Sequence, residues 1–145
     1  MQTLIQGVEA KWGSLSAEPA IYTMYIRWDE VDPMVLLYTF HKPGDPRPKA
    51  QDLWRIGRHQ VTLAVINKKH MGMDTIRIGP LTESTTMLHQ IYRYPKPREC
   101  FFAIPTEPLR HFLVRTLTKV SPMQEQQALE TYLDTWLDRV LTKGR

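Results

Sequence analysis

A single cysteine, Cys100, is all the 145-residue chain contains, so it forms no internal disulfide and fits a reducing compartment. No apolar run approaches the ~20 residues that a membrane-spanning helix needs. The first ten residues, Met1 to Ala10, lack a basic start followed by an apolar segment, so no signal peptide is read there and a cytoplasmic location is expected. Also missing are a Gly-x-Ser-x-Gly elbow, a Gly-rich phosphate loop and a dinucleotide fingerprint. The five histidines (His41, His59, His70, His89 and His111) form no His-x-x-x-His or His-Glu-x-x-His pattern, and no cysteine cluster joins them. No metal and no cofactor are therefore expected. Cys100 opens the apolar segment Cys100-Phe-Phe-Ala-Ile104 and reads as a buried structural thiol rather than a nucleophile. Asp29, Glu30 and Asp32 gather at one turn, but they lack the ligand count of a calcium loop and read as a solvated turn. No catalytic constellation is left among these residues.

What is present is an ordinary globular composition, 42% hydrophobic and 23% charged, at a length that fits one domain over residues 1–145. The net charge of +4 is spread along the chain; it permits an anionic partner without demanding one. The stretch Asp29 to His41 organises the rest. Pro33 fixes a turn with Asp32, and Met34 to Phe40 is apolar on both faces, as expected for the centre of a sheet. Ile21 to Trp28 alternates before it, with Tyr22, Met24, Ile26 and Trp28 on one face, so the two segments predict an antiparallel hairpin. His41 ends this strand and is expected to bond to backbone or water.

Strands are predicted over residues 2–9, 21–28, 34–41, 52–57, 74–79, 85–92 and 100–104, the last two as a second hairpin with a proline-rich tip. Gly13 to Ser16 reads as a loop, and so does the basic run Lys68-Lys-His-Met-Gly72. Arg58 to Ile66 supports two readings: Val61, Leu63 and Val65 alternate, while Val61, Ala64 and Val65 also share a helical face. A strand end followed by a turn is the reading taken. After Ile104 the period becomes helical. Thr106-Glu107-Pro108 has the residues of a helix start, with Thr106 as the N-cap candidate, and predicts a helix over 106–118. Ser121, with Gln124 three residues on, predicts a capping box for a second helix over 122–142. Strands first and helices last make the fold α+β, a β-rich antiparallel domain followed by two C-terminal helices.

Four segments in order resemble the SsgA-like sporulation and cell-division proteins of actinomycetes. They are Asp32-Pro33 with Thr39-Phe40-His41; Trp54-Arg-Ile-Gly-Arg58; Gly72-Met-Asp74-Thr-Ile-Arg-Ile-Gly-Pro80; and Phe112-Leu-Val-Arg115-Thr116 with Val120-Ser-Pro122. The resemblance implies a whirly-like fold, assembly as a trimer and no catalysis. It implies work through protein contacts: recruiting FtsZ of the division machinery, placing septa and guiding sporulation. Asp32, Pro33, Thr39, Phe40, His41, Trp54, Arg58, Asp74, Pro80, Phe112, Arg115 and Thr116 are then framework residues. The chain departs from the pattern in its basic, proline-rich loop at 42–50, in Met123 or Gln124 where a glycine is expected, and in Tyr94-Pro95-Lys96-Pro97-Arg98 at the second hairpin tip. It is also basic where family members are usually acidic or near neutral.

Two surfaces are candidates for function. Lys42, Arg47 and Lys49, then Lys68 and Lys69, then Arg93, Lys96 and Arg98 beside Tyr92, mix cations with aromatics. That is the chemistry of single-stranded nucleic-acid binding, the alternative function. Nothing matches the Lys-Gly-Lys-Ala-Ala-Leu strand of the plant whirly proteins. The last helix carries Leu129, Tyr132, Leu133, Trp136, Leu137, Val140 and Leu141 on one stripe. That stripe is expected to pack on the chain's own sheet, with a subunit or partner contact as its other use.

Overall fold

Trp28 sits at the turn of the first hairpin with no exposed surface, and in the computed structural model its indole N–H donates to the Pro33 carbonyl at 3.1 Å. The structure describes residues 2–14, 17–42, 53–73, 75–92 and 96–143. The strands are β1 (Thr3–Ser14), β2 (Ala17–Asp29), β3 (Asp32–His41), β4 (Trp54–Gly57), β5 (Met71–Met73), β6 (Ile76–Pro80), β7 (Thr85–Tyr92) and β8 (Arg98–Pro105). The helices are α1 (Arg58–Val65), α2 (Thr106–Lys119) and α3 (Pro122–Lys143). All eight strands join one antiparallel sheet in the order β4-β3-β2-β1-β8-β7-β6-β5.

Both predicted hairpins form, β2 with β3 and β7 with β8. The place of β3 differs from expectation. It is second from an edge, and β1 and β8 hold the centre. An apolar run tells how well a strand is covered, not where it sits in the order. Here cover comes from curling: β3 faces β7 and β8 across the interior. Gln90 Nε2 donates to the Tyr38 hydroxyl at 3.0 Å, the Tyr92 hydroxyl donates to Gln90 Oε1 at 3.0 Å, and Phe40 stacks on Phe102 with centroids 3.6 Å apart. The void among Met24, Ile26, Leu36, Tyr38, Leu88 and Ile104 is about 20 Å³, so this interior is filled by side chains.

The segment read as a strand end is α1. Arg58, Val61, Ala64 and Val65 are its buried residues, a helical spacing, while Leu63 is only half-buried. The alternation of Val61, Leu63 and Val65 was the accidental pattern. α1 packs against β3, β4, β5, β6 and α2, across the two outer ends of the curled sheet. β5 is also new relative to the sequence reading. Its Gly72 has φ +109°, and a Cβ there would lie 2.3 Å from the Ile76 carbonyl oxygen, so only glycine fits this tight hairpin. β1 and β2 extend into the predicted loop around Gly13, with a register shift between Trp12 and Ser14. Gln51, Asp52 and Asp74 lie outside the described residues, so the predicted starts at 52 and 74 fall there.

Thr106 is the first helical residue of α2 rather than its cap. Pro105 precedes it, and the Thr106 hydroxyl lies 2.9 Å from that of Thr86. The second cap forms as read: Ser121 N donates to Gln124 Oε1 at 2.9 Å and Gln124 N to Ser121 Oγ at 3.2 Å.

Tyr38 makes this core sensitive to alkali. Burial pushes its phenol far above the usual range, partly offset by the Gln90 bond. A raised folded-state value means that its contribution is intact below the unfolded value, about pH 10, and is lost as pH rises beyond it. The urea midpoint should therefore fall above about pH 10 more steeply in the natural chain than in Tyr38→Phe. Equal slopes for the two would contradict this role.

Candidate protein-contact surface

The described framework residues divide by burial. Pro33, Thr39, Arg58, Phe112 and Thr116 are buried; Phe40, His41, Trp54 and Pro80 are half-buried; Asp32 and Arg115 are exposed. Asp32 pairs with Arg55 at 3.5 Å across the β3–β4 edge, and Trp54 sits edge-on to Tyr92 at 5.0 Å. Arg58 joins two of the four segments, because its Nη1 donates to the carbonyls of Thr116 at 3.2 Å and Val120 at 2.9 Å. The Thr116 hydroxyl donates to the Leu113 carbonyl at 2.8 Å. Asp74 lies outside the described residues.

Among the described residues His41 Nε2 is buried without a hydrogen-bond partner, and its ring meets Tyr25 edge-on at 5.0 Å. Among the described residues Thr39 Oγ1 is likewise buried without a hydrogen-bond partner, and His89 Nε2, also without one, lies 3.6 Å from Glu99 Oε2. The carboxylates of the acidic turn are used within the chain. Asp29 pairs with Arg27 at 2.9 Å and also accepts from Thr3, and the two together hold its carboxyl below its usual value. Glu30 accepts from the backbone of Gln2 at 3.0 Å. Among the described residues no group of three or more His, Cys, Asp or Glu is placed to hold a metal ion.

The described basic residues do not converge. Lys68 lines a groove of about 520 Å³ with Glu83, Ser84, Thr106 and Arg110, at the β6–β7 turn. Tyr92 and Lys96 belong to the far end of the β7–β8 hairpin, a strand length of about 25 Å away. Lys68 also has a local duty. Its φ of +55° is left-handed, two residues past the Ile66 cap of α1, and the next residue's backbone N, that of Lys69, donates to the Leu63 carbonyl at 3.2 Å. Lys42, Lys68, Lys69 and Lys96 are exposed. Arg47, Lys49 and Arg93 lie outside the described residues, as does the side chain of Arg98.

α3 departs furthest from expectation. Its stripe does not pack on the sheet: Leu133 is 46% exposed, Trp136 51%, Leu137 47%, Val140 47% and Leu141 67%. These five recur at i, i+3, i+4, i+7 and i+8, one continuous apolar face. The side chains of Leu129 and Tyr132 lie outside the described set. The reason is geometric. α1 and α2, with buried Val61, Ala64, Val65, Leu109, Phe112 and Leu113, already fill the inner face of the curled sheet. A row of large apolar side chains left in water is the physical mark of a contact surface. Among the described residues no helix is long and apolar enough to cross a membrane.

Two solved structures share this architecture over nearly the whole chain. An SsgA-like sporulation-specific cell division protein from Thermobifida fusca YX-ER1 superposes with a TM-score of 0.73 at 21% identity, covering 94% of this chain and 96% of that one. A structure of SsgB, in which mutations correlate to longitudinal cell division during sporulation of Streptomyces coelicolor, superposes with a TM-score of 0.70 at 19% identity, covering 87% of this chain and 94% of that one. No family model and no curated protein matches the sequence. The chain therefore has the fold of the SsgA-like proteins, as the four sequence segments implied.

Proposed function

We propose that this chain is a single-domain, non-enzymatic contact protein of the SsgA-like kind, acting in control of cell division, in septum placement or in sporulation. The observation that carries the reading is the apolar face of α3, left exposed in a fold shared with two cell-division proteins. The protein works as a homo-oligomer, with a trimer the expected form, in the cytoplasm and recruited to the septum. Repeated copies of one surface let weak contacts to a polymeric partner add through avidity. The partner proposed from the resemblance is FtsZ of the division machinery.

Co-sedimentation with polymerised FtsZ tests this directly. The protein is expected to pellet with the filaments and to stay in solution without them. Failure to pellet, together with salt-sensitive binding of labelled single-stranded oligonucleotides that is lost when Lys68 and Lys69 become Ala, would replace this function with the nucleic-acid one.

A further inference from the structure

α3 carries more than its apolar stripe. Glu130, Asp134 and Asp138 recur at i, i+4 and i+8, an exposed acidic row flanking Leu137 and Leu141. α2 has the opposite character on its exposed side. Arg115 and Lys119 stand one turn apart, and Val114, beside them, is 49% exposed. With Gln2, Thr3, Leu4 and Thr118, Arg115 and Lys119 line an open groove of about 590 Å³ between α2 and the start of β1. Among the described residues Arg115, Lys119, Asp134 and Asp138 make no ion pair or side-chain hydrogen bond. Arg115 and Val114 are the exposed members of a segment whose Phe112, Leu113 and Thr116 are buried.

We infer that the groove along α2 receives α3 of a second copy of this chain, with Asp134 and Asp138 against Arg115 and Lys119 and the apolar stripe over Val114 and Leu4. Side chains at i and i+4 on a helix lie about 6 Å apart, so the two cations and the two carboxylates match in pitch. The chain cannot make this contact with itself. Asp134 and Asp138 lie about 18 and 24 Å along α3 from Pro122, by helical rise. Folded back on α2, they would pass Lys119 and Arg115 and reach the acidic first turn at Glu107. Contact between unlike surfaces closes as a ring or as a reciprocal pair. This inference rests on the contact-protein reading and names where copies meet.

A charge exchange on the full chain tests it, read by light scattering after chromatography, with circular dichroism to verify folding. The double variant Arg115→Glu, Lys119→Glu places acid against acid. Asp134→Lys, Asp138→Lys places base against base. Each alone is expected to weaken assembly roughly tenfold or more, and more so at low salt. Joining all four substitutions in one chain, which makes every contact between copies complementary again, should restore the natural mass, which a merely structural role would not do. Unchanged mass in both double variants, or no restoration in the fourfold variant, overturns the inference. If the natural chain stays oligomeric through both, the contact-protein reading survives without it. A natural chain that is monomeric overturns it as well, and filament co-sedimentation then decides the wider function separately.

Discussion

Arg58→Met should lower unfolding free energy by about 3 kcal/mol, the size expected when a buried charged donor that serves two carbonyls is lost. Arg58 is fully buried at the first residue of α1, where the helix dipole disfavours a cation. Its guanidinium reaches instead to the C-terminal end of α2 and donates to the carbonyls of Thr116, which also accepts from Val120 N at 3.0 Å, and Val120, where the helix carries partial negative charge. One side chain therefore caps α2 and ties it to α1. Methionine fills similar volume, so the loss reports hydrogen bonds rather than a cavity. Arg58→Lys keeps the charge but not the planar fork, and should cost about half as much. Urea unfolding followed by tryptophan fluorescence measures both. A change of under about 0.5 kcal/mol for Arg58→Met would remove this role.

The second large effect belongs to α3. The triple variant Leu133→Gln, Trp136→Gln, Val140→Gln should weaken assembly about a hundredfold while leaving the subunit folded. Each side chain has roughly half of its surface still to bury, worth about 1 kcal/mol apiece, and about 2.7 kcal/mol corresponds to a hundredfold. Glutamine preserves helix propensity, so helix content should hold. Were the stripe packed on the chain's own sheet, the same substitutions would lower the unfolding midpoint and leave the mass alone. Analytical ultracentrifugation with a parallel melting curve separates the two outcomes.

Much of the architecture was legible from period and punctuation. Alternation from Tyr22 to Trp28, the Asp32-Pro33 turn and the Ser121–Gln124 box all mark elements that form. Eight residues from Arg58 to Val65 were not, because β-branched Val61 and Val65 satisfy both periods over so short a span. Two helices, α2 and α3, are what the sequence pattern offers to cover the sheet. In the structure α1 and α2 fill that place, and the surplus helix is the one with its apolar face in water. Strand order was equally hidden, since the run Met34 to Phe40 records burial and not adjacency. Stretch Asp32 to His41 is framework: Pro33 and Phe40 bond and stack inward. No pattern in the chain announces that Arg115 and Lys119 line one groove with Gln2 to Leu4, a hundred residues earlier, because that meeting depends on the fold of the whole sheet.

The mass of the unmodified chain in solution, by light scattering across a concentration series, bears most directly on α3 as a contact surface between copies. A stable oligomer, with three copies the expected number and dissociation only on dilution, is the predicted result. A strict monomer at every concentration would contradict it.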